Sequence, residues 1–191
     1  MHSLPYILER MKEENHLVFT NNAAPFNLNI IGVRNLLSRP DHFDDELHVI
    51  YPKGESYSHE VYPITTYPGI PYLLKPINPK GTAILVPNQY LAAYAIGTFR
   101  GYTALKQVRP VKVFRDFNRD AIFNLDSHKK EEGLFGIHIH KAGIWSKIVG
   151  LNSAGCQVFK KREDFEMFIN TCVVSARIWG NQFTYTLIKE K

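Results

Sequence analysis

Apolar positions fall into two kinds of pattern along the chain. Near the start, Leu4, Ile7, Leu8 and Met11 recur at three-and-four spacing behind Ser3 and Pro5, which predicts a short capped amphipathic helix. From Asn27 to Phe114 the period shortens to that of strands. The β-rich runs Leu28 to Val33, Leu47 to Tyr51, Val61 to Thr66, Thr82 to Val86 and Val111 to Phe114 are separated by proline, glycine and asparagine. Between them, Asn88 to Thr98 fits a helical turn or a bent strand equally well. The helical period returns at Phe165, Phe168, Ile169, Cys172 and Ala176, predicting a core-facing helix stopped by Gly180, and Phe183 to Ile188 reads as a last strand. The expectation is one mainly β domain over residues 1–191, with a short N-terminal helix and a C-terminal amphipathic helix.

Composition agrees with an ordinary globular core: 45% apolar and 13% aromatic residues over 191 positions. No apolar run is long enough to cross a bilayer, so a soluble protein without membrane insertion is expected. Glu9, Arg10, Lys12, Glu13 and Glu14 interrupt the first sixteen residues, unlike a secretory leader. The net charge of +5 favours anionic partners in general. The basic residues are scattered and no nucleic-acid motif accompanies the tightest run, Lys160-Lys161-Arg162, so a solvated surface is expected and nucleic acid is not.

Chemistry concentrates late in the chain. Ser153-Ala154-Gly155-Cys156-Gln157-Val158 places a thiol on a glycine-containing turn, downstream of the strand-like run Gly136-Ile137-His138-Ile139-His140. In an extended strand His138 and His140 share one face while Ile137 and Ile139 face the opposite layer. A thiol with a nearby imidazole base is the raw material of nucleophilic acyl transfer. Gly155 permits close backbone approach, and backbone N–H groups of such a turn can stabilise an oxyanion. Two cysteines make no disulfide framework; Cys172 lies on the apolar helix face, and Cys156 reads as free.

His138 or His140 followed by Ser153-Ala154-Gly155-Cys156 resembles the histidine and Ser/Thr-x-Gly-Cys signature of the L,D-transpeptidase (YkuD-type) catalytic domain. Tyr67-Pro68-Gly69 and the segment from Gly81 to Tyr90 resemble a divergent phage and bacterial branch of it, so that the likeness spans about Asn27 to Ile188, residues 27–188. The resemblance implies a β-sandwich-like domain that attacks an amide of peptidoglycan stem peptides through Cys156, without a cofactor or metal. It assigns the base to His140 or His138, narrowly favouring His140, and oxyanion and substrate binding to Ser153, Gly155 and Gln157. The chain departs from the family at Ala154 and Val158, where histidine or arginine, and arginine or asparagine, are usual. Those departures favour net hydrolysis, as by a cell-wall peptidase or amidase, over transpeptidation. A wall substrate without a visible leader implies action in the periplasm or cell wall after phage or other non-classical delivery.

Three other readings compete. His138-x-His140 supplies two potential zinc ligands for a zinc-dependent hydrolase. Asp116, Asn118, Asp120 and Asp126 resemble the start of a calcium loop, but Ala121 stands where glycine is expected and no glutamate closes it, so a polar hairpin capping its own backbone is favoured. Tyrosines at 51, 57, 62, 67, 72, 90, 94 and 102 offer glycan-stacking surfaces, although aromatics suit half-buried sheets. They leave a non-enzymatic cell-wall-binding protein as the third reading.

Overall fold

The computed structural model describes residues 4–125 and 130–190; Ser3 of the expected helix start and Asp126 of the acidic loop lie outside them. Helix α1 (Tyr6–Glu13) leads into strands β1 (Asn29–Arg34), β2 (Asp45–Lys53) and β3 (Ser56–Thr65). A five-residue helix α2 (Ile70–Leu74) precedes β4 (Thr82–Leu85), β5 (Asn88–Phe99), β6 (Tyr102–Gln107) and β7 (Val111–Asp116). After β8 (Lys130–Gly133), the short strands β9 (Ile139–Lys141) and β10 (Gln157–Phe159) flank the turn with the thiol. Helix α3 (Arg162–Trp179) and β11 (Phe183–Lys189) complete the chain.

Eight strands close a barrel in the order β1-β11-β5-β6-β9-β10-β3-β2, and β4-β7-β8 form a separate antiparallel sheet. The mainly β expectation holds, and the strands meet in a closed ring. Within the ring, β1 pairs with β11 and β9 with β10 in parallel; the other neighbours are antiparallel. Alternation sorts side chains between layers. Ile30 joins the main core with Leu47, Val49, Tyr94 and Leu187, whereas Ile31 turns outward to Ile50, Ile188 and the Ile7, Leu8 and Met11 face of α1. Helix α3 adds Phe165, Phe168, Ile169 and Cys172 to the main core, with the Phe159 and Phe168 rings stacked 5.0 Å apart. Gly180 ends it at φ +86°. No helix among the described residues is long and apolar enough to cross a membrane.

The undecided segment is strand β5, bent where Ala92 takes a positive φ and the register to β11 shifts. Its hairpin to β6 closes through Arg100 (φ +48°) and Gly101 (φ +81°), the two left-handed residues of a tight hairpin turn. Five of the eight tyrosines proposed for glycan stacking, at 51, 62, 67, 90 and 94, are buried in the fold. The small sheet is tied to the barrel by Arg34, whose buried guanidinium donates to the carbonyl oxygens of Leu85 and Thr66 and to Thr66 Oγ1, and lies 4.3 Å over the Tyr67 ring. That union matters for the thiol, because the turn bearing it packs on β4.

Candidate active site

Gly155 fixes the position of the thiol. Its φ is +119°, and a Cβ there would lie 2.1 Å from the Ala83 carbonyl oxygen of β4, so only glycine lets the two backbones approach. Buried Ser153 closes the turn: its Oγ accepts the Gly155 N–H at 3.2 Å and donates to the Cys156 carbonyl at 2.9 Å. Gln157 is fully buried, donating to the Gly155 carbonyl at 3.4 Å and accepting the Tyr185 hydroxyl at 2.8 Å. Both side chains are buried and brace the turn from within.

Cys156 is half-buried, and its Sγ sits against the backbone of the 136–138 segment, donating to the Gly136 carbonyl at 3.3 Å and accepting the His138 N–H at 3.4 Å. Cys172 is buried in the core, and both thiols are free. The strand-like run is shorter than expected, with regular pairing only from Ile139, but the alternation holds. Ile137 and Ile139 are in the core, and the imidazoles of His138 and His140 both lie against one ring, that of Phe99, at 5.0 and 4.8 Å.

The partners of each imidazole assign its proton. His138 Nδ1 accepts the Gln107 backbone N–H at 3.1 Å, so a neutral ring carries its hydrogen on Nε2. His140 Nδ1 faces the Lys141 carbonyl at 2.9 Å, with the Tyr102 hydroxyl at 3.3 Å, so it bears the hydrogen on Nδ1 and keeps a lone pair on Nε2. Among the described residues neither ring hydrogen-bonds to the sulfur. Burial lowers the His140 pKa to about 4, with the Arg100 charge and His138 acting in the same direction and the Lys141 carbonyl opposing. Burial and Lys106 lower that of His138. Burial pushes the Cys156 thiol up to about 11, against the His138 N–H and Arg100, which favour the thiolate. The resting site is therefore uncharged at sulfur and imidazole.

Residues that sequence reading passed over organise this geometry. Gln107 holds the 133–138 segment: its Oε1 accepts the N–H groups of Phe135 and Ile137, and its Nε2 donates to the Gly133 and Arg109 carbonyls. Arg100, exposed at the β5–β6 tip with its guanidinium 5.2 Å from the Phe99 ring centroid, brings a cation to the same cluster. The Arg-Gly pair was its only sequence signal; nothing in the sequence marked Gln107.

A zinc site at His138 and His140 lacks a third donor, since no three His, Cys, Asp or Glu side chains converge suitably among the described residues. Comparison with protein-family profiles, curated proteins and solved structures returns no match.

Proposed function

We propose that this chain is a cysteine acyl-transfer enzyme of L,D-transpeptidase type, with a variant of that family's β-sandwich-like domain, acting on peptidoglycan stem peptides with net hydrolysis. The observation that carries the reading is the clasp of Cys156 Sγ between the Gly136 carbonyl and the His138 N–H, on a turn that tolerates only glycine at 155, with the imidazoles of His138 and His140 both packed on the Phe99 ring. His140, with a lone pair on Nε2, is the base; His138, with its hydrogen on Nε2, is a donor that joins the Cys156 N–H in stabilising an oxyanion.

As sulfur attacks the stem-peptide carbonyl carbon, the thiol proton passes to His140. The C–N bond then breaks, the imidazolium returns that proton to the leaving amine, and a thioester remains. Water adds to the thioester, releasing a carboxylic acid and restoring the thiol. With the thiol near 11 and the imidazole near 4, a resting thiolate–imidazolium pair is disfavoured, so proton transfer is coupled to attack rather than completed beforehand.

The resemblance places a polar side chain two positions after the cysteine, where Val158 is fully buried. Arg100 at the hairpin tip supplies the cation for a stem-peptide carboxylate instead. Such a substrate implies that the working protein acts in the periplasm or cell wall.

Incubation with purified peptidoglycan, followed by mass analysis of the muropeptides, tests the reading. Two fragments whose masses sum to the substrate plus one water are expected. Predominantly joined dimers would replace hydrolysis with transfer, and wall binding without products would make the protein a binding module.

A further inference from the structure

We propose that the loop following β7 binds a calcium ion through Asp116, Asn118, Asp120, Asn124 and the backbone carbonyl of Ile122. This goes beyond the acyl-transfer reading and does not depend on it. The primary observation is Asp116, the last residue of β7 and fully buried. Its Oδ2 accepts the Asn124 N–H at 2.9 Å, while its Oδ1, equally enclosed, has no hydrogen-bond partner among the described residues. A buried carboxylate oxygen without a donor is costly to keep, and a cation is the partner that satisfies it.

Asp116 faces an oxygen-rich loop. Asp120 Oδ2 lies 2.8 Å from Asn118 Nδ2, Asp120 Oδ1 lies 3.4 Å from Asn124 Nδ2, and that same nitrogen lies 3.0 Å from the Ile122 carbonyl. Rotating either carboxamide by half a turn presents its Oδ1 toward Asp120, and its orientation without an ion is set only by these hydrogen bonds. The charges of Asp116 and Asp120 repel, a repulsion a divalent cation removes.

Residues 116, 118, 120, 122 and 124 follow the spacing by which a short loop wraps calcium: three side chains, then a backbone carbonyl, then a side chain acting directly or through water. The loop turns at Arg119 (φ +59°) rather than at Ala121, which has no positive φ, so alanine is accommodated by a turn placed differently from that of a glycine-containing calcium loop, and without a closing glutamate the site is a weak one. Donors drawn entirely from oxygen, on a largely exposed loop, suit calcium better than zinc or the rigid octahedron of magnesium. The ion's effect is mechanical. Phe123 in the loop stacks on Tyr67 at 3.9 Å and 6°, so fixing the loop also fixes the junction of small sheet and barrel where Arg34 packs on Tyr67.

The test uses the full chain stripped of metal with a chelator and dialysed. Calorimetric titration with calcium chloride is expected to give one site per chain with Kd of about 0.01–1 mM. At 5 mM calcium chloride the Tm should rise by about 5 °C, and by much less in magnesium chloride. Asp116→Asn and Asp120→Asn should each abolish both responses. If Asp116→Asn does not fold, Asp120→Asn carries the test alone, its residue being only partly buried. No heat and no calcium-dependent Tm shift in the wild type, or an undiminished response in folded Asp120→Asn, overturns the site.

Discussion

The barrel carries two pairs of histidines whose surroundings differ, and the proposed chemistry uses only one of them. His48 and His59 face each other across β2 and β3, with His48 Nδ1 2.9 Å from His59 Nε2 and His48 Nε2 2.9 Å from Glu46 Oε2. Both nitrogens of His48 are engaged in a closed chain ending on a carboxylate. At His138 and His140, one nitrogen of each ring meets backbone, leaving the other without a hydrogen-bond partner among the described residues. A backbone partner on one side fixes tautomer and orientation while leaving the opposite nitrogen for chemistry. Proximity of two histidines therefore tells less about function than the partner each nitrogen already has.

The largest effect that can break this comparison lies at the sulfur. Cys156→Ala should reduce turnover by about a thousandfold or more in a folded protein. His48→Gln and His59→Gln should leave turnover within about twofold, since their chain does not reach the thiol. Muropeptide release rates check both. Substantial activity in Cys156→Ala removes the nucleophile, and a large loss in His48→Gln removes the distinction between the pairs.

Next in size is the division of labour between His138 and His140. His140→Asn should lower kcat about a hundredfold through loss of the base, and His138→Asn about tenfold through loss of a donor. The reverse order would move the base to His138, and with it the tautomer assignment. A smaller effect is kinetic: because the thiol sits near 11, alkylation of Cys156 should quicken about tenfold per pH unit between pH 7 and 10. Arg100→Ala should slow it severalfold at each pH, as the cation favouring thiolate is lost. A plateau below pH 8 would show an already ionised thiol and break the uncharged resting site.

The last comparison is in stability. The pKa values of His48, His59, His138 and His140 are all lowered in the fold, chiefly by burial. The unfolded chain, with histidines near 6.5, then binds more protons below that pH, so stability falls as pH drops from 6.5 toward the folded values, about 4 for His140. Denaturant unfolding at pH 7 and 5 should show a loss on the order of 1–2 kcal/mol, smaller in His140→Gln. An unchanged pH slope in that variant would mean His140 is not the buried neutral imidazole described above.

Helix α3 and strands β1, β2, β3, β4 and β7 were legible because each follows its own period, and Gly180 lies at the stop the pattern predicts, whereas the bent β5 fitted two periods and β6 gave no separate signal. Strands β9 and β10 were not, at three residues apiece: they exist through pairing with each other and with β3 and β6. At the candidate site, Cys156, His138 and His140 stood out by residue type and spacing. Ser153 and Gln157 stood out too, but as groups for substrate; in the fold Ser153 closes the turn and Gln157 bonds to Tyr185. Gln107 was silent and Arg100 was marked only by the glycine after it, because their importance comes from segments about thirty and forty residues away.

By itself, the sequence determined the strand and helix periods, the shared face of His138 and His140, the glycine beside the thiol and the acidic alternation from Asp116, all properties of near neighbours along the chain. Tertiary structure decided the closed barrel, which nitrogen of each imidazole is engaged, the clasp on Cys156 Sγ and the orphaned oxygen of Asp116. Burial and hydrogen-bond partners are set by residues distant in sequence, and these fix the charge states on which the site's chemistry depends.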